Sequence, residues 1–178
     1  VAGVTIRPET ARDIGPVLDV LEAVAAEGRW IGIEAPFDRD ARAERIRNDL
    51  AQPAAFGGFV AEDTGGAPTV VGFIGVHLAP YGVATVAMAI IEGYRGQGTG
   101  RRLLERGTTW AQRAGAHKLA LEVWPHNQRA IALYTRMGFV EEGRLRRHYR
   151  RRNGELWDAV VMGRQLGPPA PAASPVAP

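Results

Sequence analysis

Cysteine is absent from the 178-residue sequence, which excludes thiol nucleophiles, thiolate metal sites and any acyl-cysteine intermediate, and agrees with a reducing compartment. No metal is expected. No basic-then-apolar segment of the signal-peptide type opens the sequence, and a cytoplasmic protein is the expectation. Charge is missing from Val70 to Ile91, a run long enough to span a bilayer. Pro80-Tyr81-Gly82 breaks that run midway, and two β-branched runs about a proline-glycine turn read as buried strands of one hairpin, with no membrane partner. No internal repeat is visible.

What is present, 46% hydrophobic and 23% charged residues, is the composition of an ordinary globular protein. The expectation is a single domain over residues 1–166, long enough to bury a core without metal or disulfide support, followed by a Pro/Ala-rich disordered tail at 167–178. The net charge of +3 and pI near 9.8 suggest mild attraction to anions. Arg144, Arg146, Arg147, Arg150, Arg151 and Arg152 form the densest basic block. That block would suit acidic protein or RNA, but arginines on an exposed hairpin are more often a solvated face, and nucleic acid is not the expected partner.

In chain order, Val4 to Arg7 reads as a strand, and Thr10 with Asp13 as a capping box before a helix bearing Ile14, Val17, Leu18 and Leu21, ending near Gly28. Trp30 to Phe37 reads as a loop that either lines a substrate pocket or tucks its apolar side chains onto the core. Asp38 can cap a helix to Leu50 with Ala43, Ile46 and Leu50 as its buried stripe. Phe56 to Glu62 and Thr69 to Leu78 form a hairpin, and Val83 to Ile91 a third antiparallel strand. A helix from Gly98 to Ala114 carries Leu103, Leu104, Gly107, Trp110 and Ala111 on one face. Lys118 to Val123 is a strand with Ala120 and Glu122 on the face opposite Leu119, Leu121 and Val123. Asn127 caps a helix through Met137. Val140 to Arg150 and Leu156 to Gln165 make a hairpin about Asn153-Gly154, a type I′ signal. The order predicts a mixed α/β (α+β) design.

Between the third strand and its helix lies Tyr94-Arg95-Gly96-Gln97-Gly98-Thr99-Gly100-Arg101-Arg102. Three glycines in five positions and the following helix N-terminus favour an anion, with Arg95, Arg101 and Arg102 as counter-charge; a plain flexible turn is the alternative. A Walker P-loop would need Gly-Lys and a hydroxyl residue where Gly100-Arg101-Arg102 stands. A dinucleotide fingerprint would need glycine where Arg101 or Leu103 stands. Neither motif is met.

The pattern Arg-x-x-Gly-x-Gly, as Arg95, Gly98 and Gly100, is similar to the pyrophosphate-binding signature of the GCN5-related N-acetyltransferase (GNAT) superfamily. Leu121-Glu122-Val123 followed by Asn127, Ala130, Leu133-Tyr134 and Gly138-Phe139 resembles that family's second block. Arg146-Arg147-His148-Tyr149 through Asp158 to Met162 resembles the C-terminal hairpin of its ribosomal-protein alanine acetyltransferase branch. The likeness spans roughly Val83 to Leu166. It implies the GNAT fold, a mixed and mostly antiparallel sheet of about seven strands flanked by about four helices, and an acetyl-CoA co-substrate. Met88, Ala89 and Ile90 would hold the pantetheine arm where their strand splays from the next at a bulge. Arg95, Gly96, Gln97, Gly98, Thr99, Gly100 and Arg101 would wrap the pyrophosphate, and Asn127 would touch the cofactor as well as cap its helix.

The chemistry implied is acetyl transfer to an amine by direct attack in a ternary complex. Neutralising an amine at pH 7 costs roughly 1.4 kcal/mol for an α-amine and 4.6 kcal/mol for a lysine, so a base helps. Glu122 matches the family's general base and Tyr134 the tyrosine that protonates the departing thiolate; a solvated strand carboxylate and ordinary core packing are their alternatives. Glu34 could hold a cationic amine. A small-molecule amine, an amino acid and a protein N-terminus stay open as acceptors, and so does a homodimer. A non-catalytic acyl-CoA-binding or RNA-binding module on the same fold is the competing reading.

Overall fold

The structure, a computed structural model, describes residues 3–167. Apart from Gly167, the predicted tail lies outside the described residues. Seven strands and four helices follow one another as β1 (Val4–Pro8), α1 (Ile14–Ala26), α2 (Arg39–Leu50), β2 (Phe56–Asp63), β3 (Thr69–Leu78), β4 (Val83–Ile90), α3 (Thr99–Arg113), β5 (Lys118–Val123), α4 (Gln128–Arg136), β6 (Val140–Arg150) and β7 (Leu156–Gln165), with 3-10 turns at Ala11–Asp13 and Glu92–Tyr94. They form one sheet in the order β1-β2-β3-β4-β5-β7-β6. Among the described residues only β4 and β5 run parallel. This is the mixed, mostly antiparallel arrangement that the resemblance implies.

Alternation along the strands divides the core between two faces. On one, Ile74, Val76, Ala84, Leu119 and Leu121 pack with Leu103, Leu104 and Ala111 of α3. On the other, Val60, Val70 and Ala89 pack with Val17, Val20 and Val24 of α1. The Asp13 carboxylate accepts from the Thr10 backbone N–H at 2.8 Å and hydroxyl at 2.7 Å, so the capping residues act as expected, although the first turn is 3-10.

Two local expectations are corrected. Ala43, Ile46 and Leu50 are half-buried, and α2 has no fully buried residue, because its inner side borders an open cavity instead of packed sheet. The β6–β7 turn is not type I′: Gly154 has φ +88° but Asn153 does not share the left-handed region, and the loop closes through Gly154 N–H to Arg151 O and Arg151 N–H to Glu155 O. That pattern suits a longer turn with one left-handed glycine. The hairpin is also irregular. Between Leu145↔Ala159 and Tyr149↔Trp157 β6 carries extra residues, with Arg147 at φ +50°. Asp158 holds this bulge, accepting from Arg147 N–H at 2.7 Å and Arg144 Nε at 2.8 Å.

Candidate active site

β4 and β5 touch only over Val83–Thr85 and Lys118–Ala120. Beyond these pairs β4 continues to Ile90 and β5 to Val123, leaving backbone groups on the facing edges without sheet partners. The predicted parting is present. The predicted bulge is not seen in the ladder to β3, whose register runs unbroken from Gly72↔Ile90 to Leu78↔Ala84. Met88, Ile90 and Leu133 of α4 converge over Gly100, within 3.1–3.6 Å of where its Cβ would be.

The glycine stretch closes one end of this gap. Gly96 and Gly98 take φ +76° and +85°, the left-handed region in which a side chain is strained, and Gly98 caps α3. The Tyr94 hydroxyl donates to Asp63, tying the stretch to the β2–β3 turn. Gly96, Gly98, Gly100, Arg101, Asn127, Met88, Ala89, Ile90, Glu122 and Tyr134 all border one cavity of about 1000 Å³.

Other expected contacts fall elsewhere. Arg95 borders the cavity, but its guanidinium is committed to Glu27 at 2.8 and 2.5 Å and its Nε to the Ile90 carbonyl at 2.6 Å; it braces the loop against the end of α1. Arg102 donates to the Val4 carbonyl at 2.8 Å. Gln97 donates to the Gly93 carbonyl at 2.6 Å, Thr99 is buried, and neither borders the cavity. Beside Arg101, a further cation at the loop is Arg129, whose Nη2 lies 3.2 Å from where a Gly96 Cβ would be. Sequence reading passed over Arg129. A cation in the first turn of a helix opposes the helix dipole, and that misfit was the available signal of a nearby anion.

Glu122 projects from the exposed face of β5 and accepts a hydrogen bond from the Tyr149 hydroxyl at 2.5 Å. The bond pushes the Tyr149 phenol up to about 12, so Tyr149 stays a donor at working pH. Tyr149 in turn meets Trp124 edge-on at 5.0 Å between ring centres. Tyr149 went unassigned in the sequence because the β6 bulge that aims it has no local signature. Tyr134, buried against Phe139 at 5.6 Å, has its phenol pushed up to about 12 by burial alone. Asn127 Oδ1 accepts from Ala130 N–H at 3.2 Å, so it caps α4 while bordering the cavity.

Glu34 does not reach the cavity. Its carboxylate accepts from the Arg152 backbone N–H at 3.1 Å and lies 3.5 Å from Arg151 Nη2, joining the loop to the β6–β7 hairpin. The loop does line the cavity, through Trp30, Ile31, Gly32 and Ile33. On the α1–α2 side the cavity extends past Arg42, Arg45, Ile46 and Asp49 of α2 to Phe56, His77 and Glu9. Among the described residues no group of metal-binding side chains occurs, and no helix is long and apolar enough to cross a membrane.

Fold and site together have the layout expected of an acyl-CoA-dependent transferase, with a parted parallel strand pair, a glycine loop at its end, and a carboxylate and a phenol beside it. Comparison with known proteins agrees. The model of the acetyltransferase (GNAT) family matches residues 22–139, and the chain belongs to that family, whose co-substrate is acetyl-CoA. The N-alpha-acetyltransferase RimI of Mycobacterium tuberculosis (strain ATCC 25618 / H37Rv) is 35% identical over 129 residues, 70% of this chain and 75% of that protein. The chain spans less of other relatives, 27% of the length of the protein ML0378 of Mycobacterium leprae. Among solved structures, the ribosomal-protein-alanine N-acetyltransferase of Brucella melitensis superposes with TM-score 0.81 at 25% identity, covering 91% of this chain and 99% of that one. A phosphinothricin acetyltransferase of Sinorhizobium meliloti in complex with acetyl-CoA shares the fold, with TM-score 0.81 at 19% identity over 97% and 96% of the two chains.

Proposed function

We propose that this chain acetylates a primary amine, with Glu122 as base and Tyr134 as donor to the departing sulfur. The observation that carries the reading is that the two side chains, twelve positions apart on different elements, border one cavity at the parted strands. The acceptor nitrogen attacks the thioester carbonyl carbon, the C–N bond forms as the C–S bond breaks, and the amine proton passes to Glu122 directly or through water. Free N–H groups on the β4 edge near Met88–Ile90 polarise the carbonyl. Gly96, Gly98 and Gly100, with Arg101 and Arg129, hold the pyrophosphate at the α3 N-terminus. Full proton transfer from a phenol near 12 to a thiolate of pKa ~8.5 would be uphill by about 5 kcal/mol, so Tyr134 acts as a hydrogen-bond donor while negative charge develops on sulfur. Tyr149 orients Glu122. A relative named for N-alpha acetylation favours an α-amine as acceptor, and a reaction drawing on acetyl-CoA is placed in the cytoplasm.

The test is release of free CoA thiol over a panel of amines and short peptides. Glu122→Gln is expected to lower kcat by roughly 100-fold or more, and Tyr134→Phe by roughly 10-fold or more with unchanged thermal stability, since that hydroxyl has no hydrogen-bonding protein group acting on it. Gly98→Val should abolish CoA binding. CoA binding without turnover on any amine would mark a non-catalytic module, and full CoA binding by Gly98→Val would refute the placement of the pyrophosphate.

A further inference from the structure

The α1–α2 side of the sheet carries a row of residues without bulk. The Glu9 N–H bonds to the Gly58 carbonyl, Gly58 pairs with Gly75, and Gly75 with Ala87. Continuing the β4–β5 register two residues beyond Thr85↔Ala120 places Ala87 abreast of Glu122, where the strands part. Paired residues share a face, and with the register extended at both ends Glu9, Gly58, Gly75, Ala87 and Glu122 lie in one row, a trough whose floor over Gly58 and Gly75 is the Phe56 ring. Ala87 is exposed along it. The Glu9 carboxylate fills the place where a Gly58 Cβ would be, 2.5 Å from Oε2. Four strand spacings of ~4.8 Å set the two backbone ends roughly 19 Å apart.

Glu9 has no counter-charge among the described residues. It is only 9% exposed, its Oε1 is buried without a hydrogen-bond partner, and it borders the cavity. A buried carboxyl in this state is costly until a cation or donor reaches it. The groups around it add no positive partner. Arg7 on β1 is taken by Asp13 and Glu62, and Asp13 and Asp49 both act on Glu9 with negative charge. His77 stands 3.7 Å from Asp49. Arg42 and Arg45 line the cavity earlier along α2, Arg45 one turn before Asp49.

Resting on the acetyltransferase reading, we propose that Glu9 with Asp49 forms a cation subsite at the far end of the acceptor trough, so that preferred acceptors are extended amines carrying a second ammonium or guanidinium group. The chemistry is that of a linear polyamine, or of a peptide whose basic side chain follows the reacting N-terminus. An extended peptide covers roughly 19 Å in about five to six residues. Burial and the two aspartates push Glu9 up to about 7, so the subsite gains charge, and affinity for a cation, as pH rises through neutrality.

The test is equilibrium binding of linear α,ω-diamines and n-alkylamines of equal length to the full chain without acetyl-CoA, together with acetylation of peptides that differ only in lysine or glutamine at the fourth to sixth residue. A diamine is expected to bind at least ten-fold tighter than its monoamine, and the advantage to grow from pH 6 to pH 8. Glu9→Gln should remove the advantage and its pH dependence, leaving affinity for CoA and for the monoamine within two-fold; Glu9→Asp, which keeps the charge, should retain part of it. The lower KM between polyamine and lysine peptide identifies the source of the cation. Equal binding of diamine and monoamine, or a Glu9→Gln loss shared by both, overturns the subsite. Absence of thiol release with every acceptor would defeat the acetyltransferase reading and leave the binding result to decide the subsite alone.

Discussion

Glu9 and Asp13, one turn of chain apart, titrate in opposite senses. Burial, then the fields of Asp13 and Asp49, push Glu9 up to about 7. The hydrogen bond from Arg7, with further bonds from Thr10, holds Asp13 at about 2. Folded Glu9 binds its proton more tightly than the unfolded chain does, so it takes stability away as pH rises from about 4.5 to 7 and the deficit persists above. Folded Asp13 binds its proton less tightly, so its contribution is complete above about pH 4 and is lost as pH falls toward 2. Glu9→Gln should therefore stabilise the fold by about 3 kcal/mol at pH 8 and by little at pH 4, whereas Asp13→Asn should cost about 2 kcal/mol at pH 7 and much less at pH 2. Urea unfolding at a series of pH values checks both. A gain from Glu9→Gln together with a loss of diamine binding would mark Glu9 as a group kept for its ligand.

At the scale of elements, the cradle is aimed by the seating of α3 on the sheet. Gly107 admits Val76 and Ile74, whose side chains lie 2.9 and 3.0 Å from where its Cβ would be, and Gly57 of β2 admits the Trp110 ring. A methyl at position 107 lifts the helix. Overpacking costs about 1–3 kcal/mol, partly offset by about 0.5–1 kcal/mol of helix propensity. Gly107→Ala is therefore expected to lower stability by about 1 kcal/mol and to weaken CoA binding several-fold, because Gly98 at the head of α3 moves with it; denaturant midpoints and CoA titration measure the two effects. Most element identities were legible in the sequence, since helical and strand periods leave different spacings of apolar residues. The half-burial of α2, the β6 bulge and the left-handed Gly154 turn were not, because each depends on what lies opposite.

On the scale of the whole molecule, the sheet consists of two parts, β1 to β4 and β5 to β7, joined edge to edge by three parallel pairs. Arg95 bound to Glu27 and Glu34 bound to Arg151 and Arg152 fasten the helical layer to the loop and hairpin around the gap. A ligand lodged between β4 and β5 supplies the contacts these edges lack. Acetyl-CoA at a hundred times its Kd should stabilise the native state by about 2.7 kcal/mol, a rise in Tm of roughly 5–10 °C for a chain of this size, and Gly98→Val should show none of it. Thermal scans with and without CoA measure the shift.

The sequence by itself determined the element order and the glycine loop, because these follow from local spacing and backbone freedom that neighbours along the chain dictate; Glu122 and Tyr134 were singled out only by the resemblance to a family. Tertiary structure alone decided which charges are free to act. Arg95 meets Glu27 from 68 positions away, Glu34 meets Arg152 from 118, and Tyr149 meets Glu122 from 27. Such a contact needs only proximity of a carboxylate and a donor, and chain separation does not encode that proximity. Glu9 is the complement, a carboxyl whose sequence neighbourhood is ordinary and whose want of a partner exists only once the sheet has closed around it.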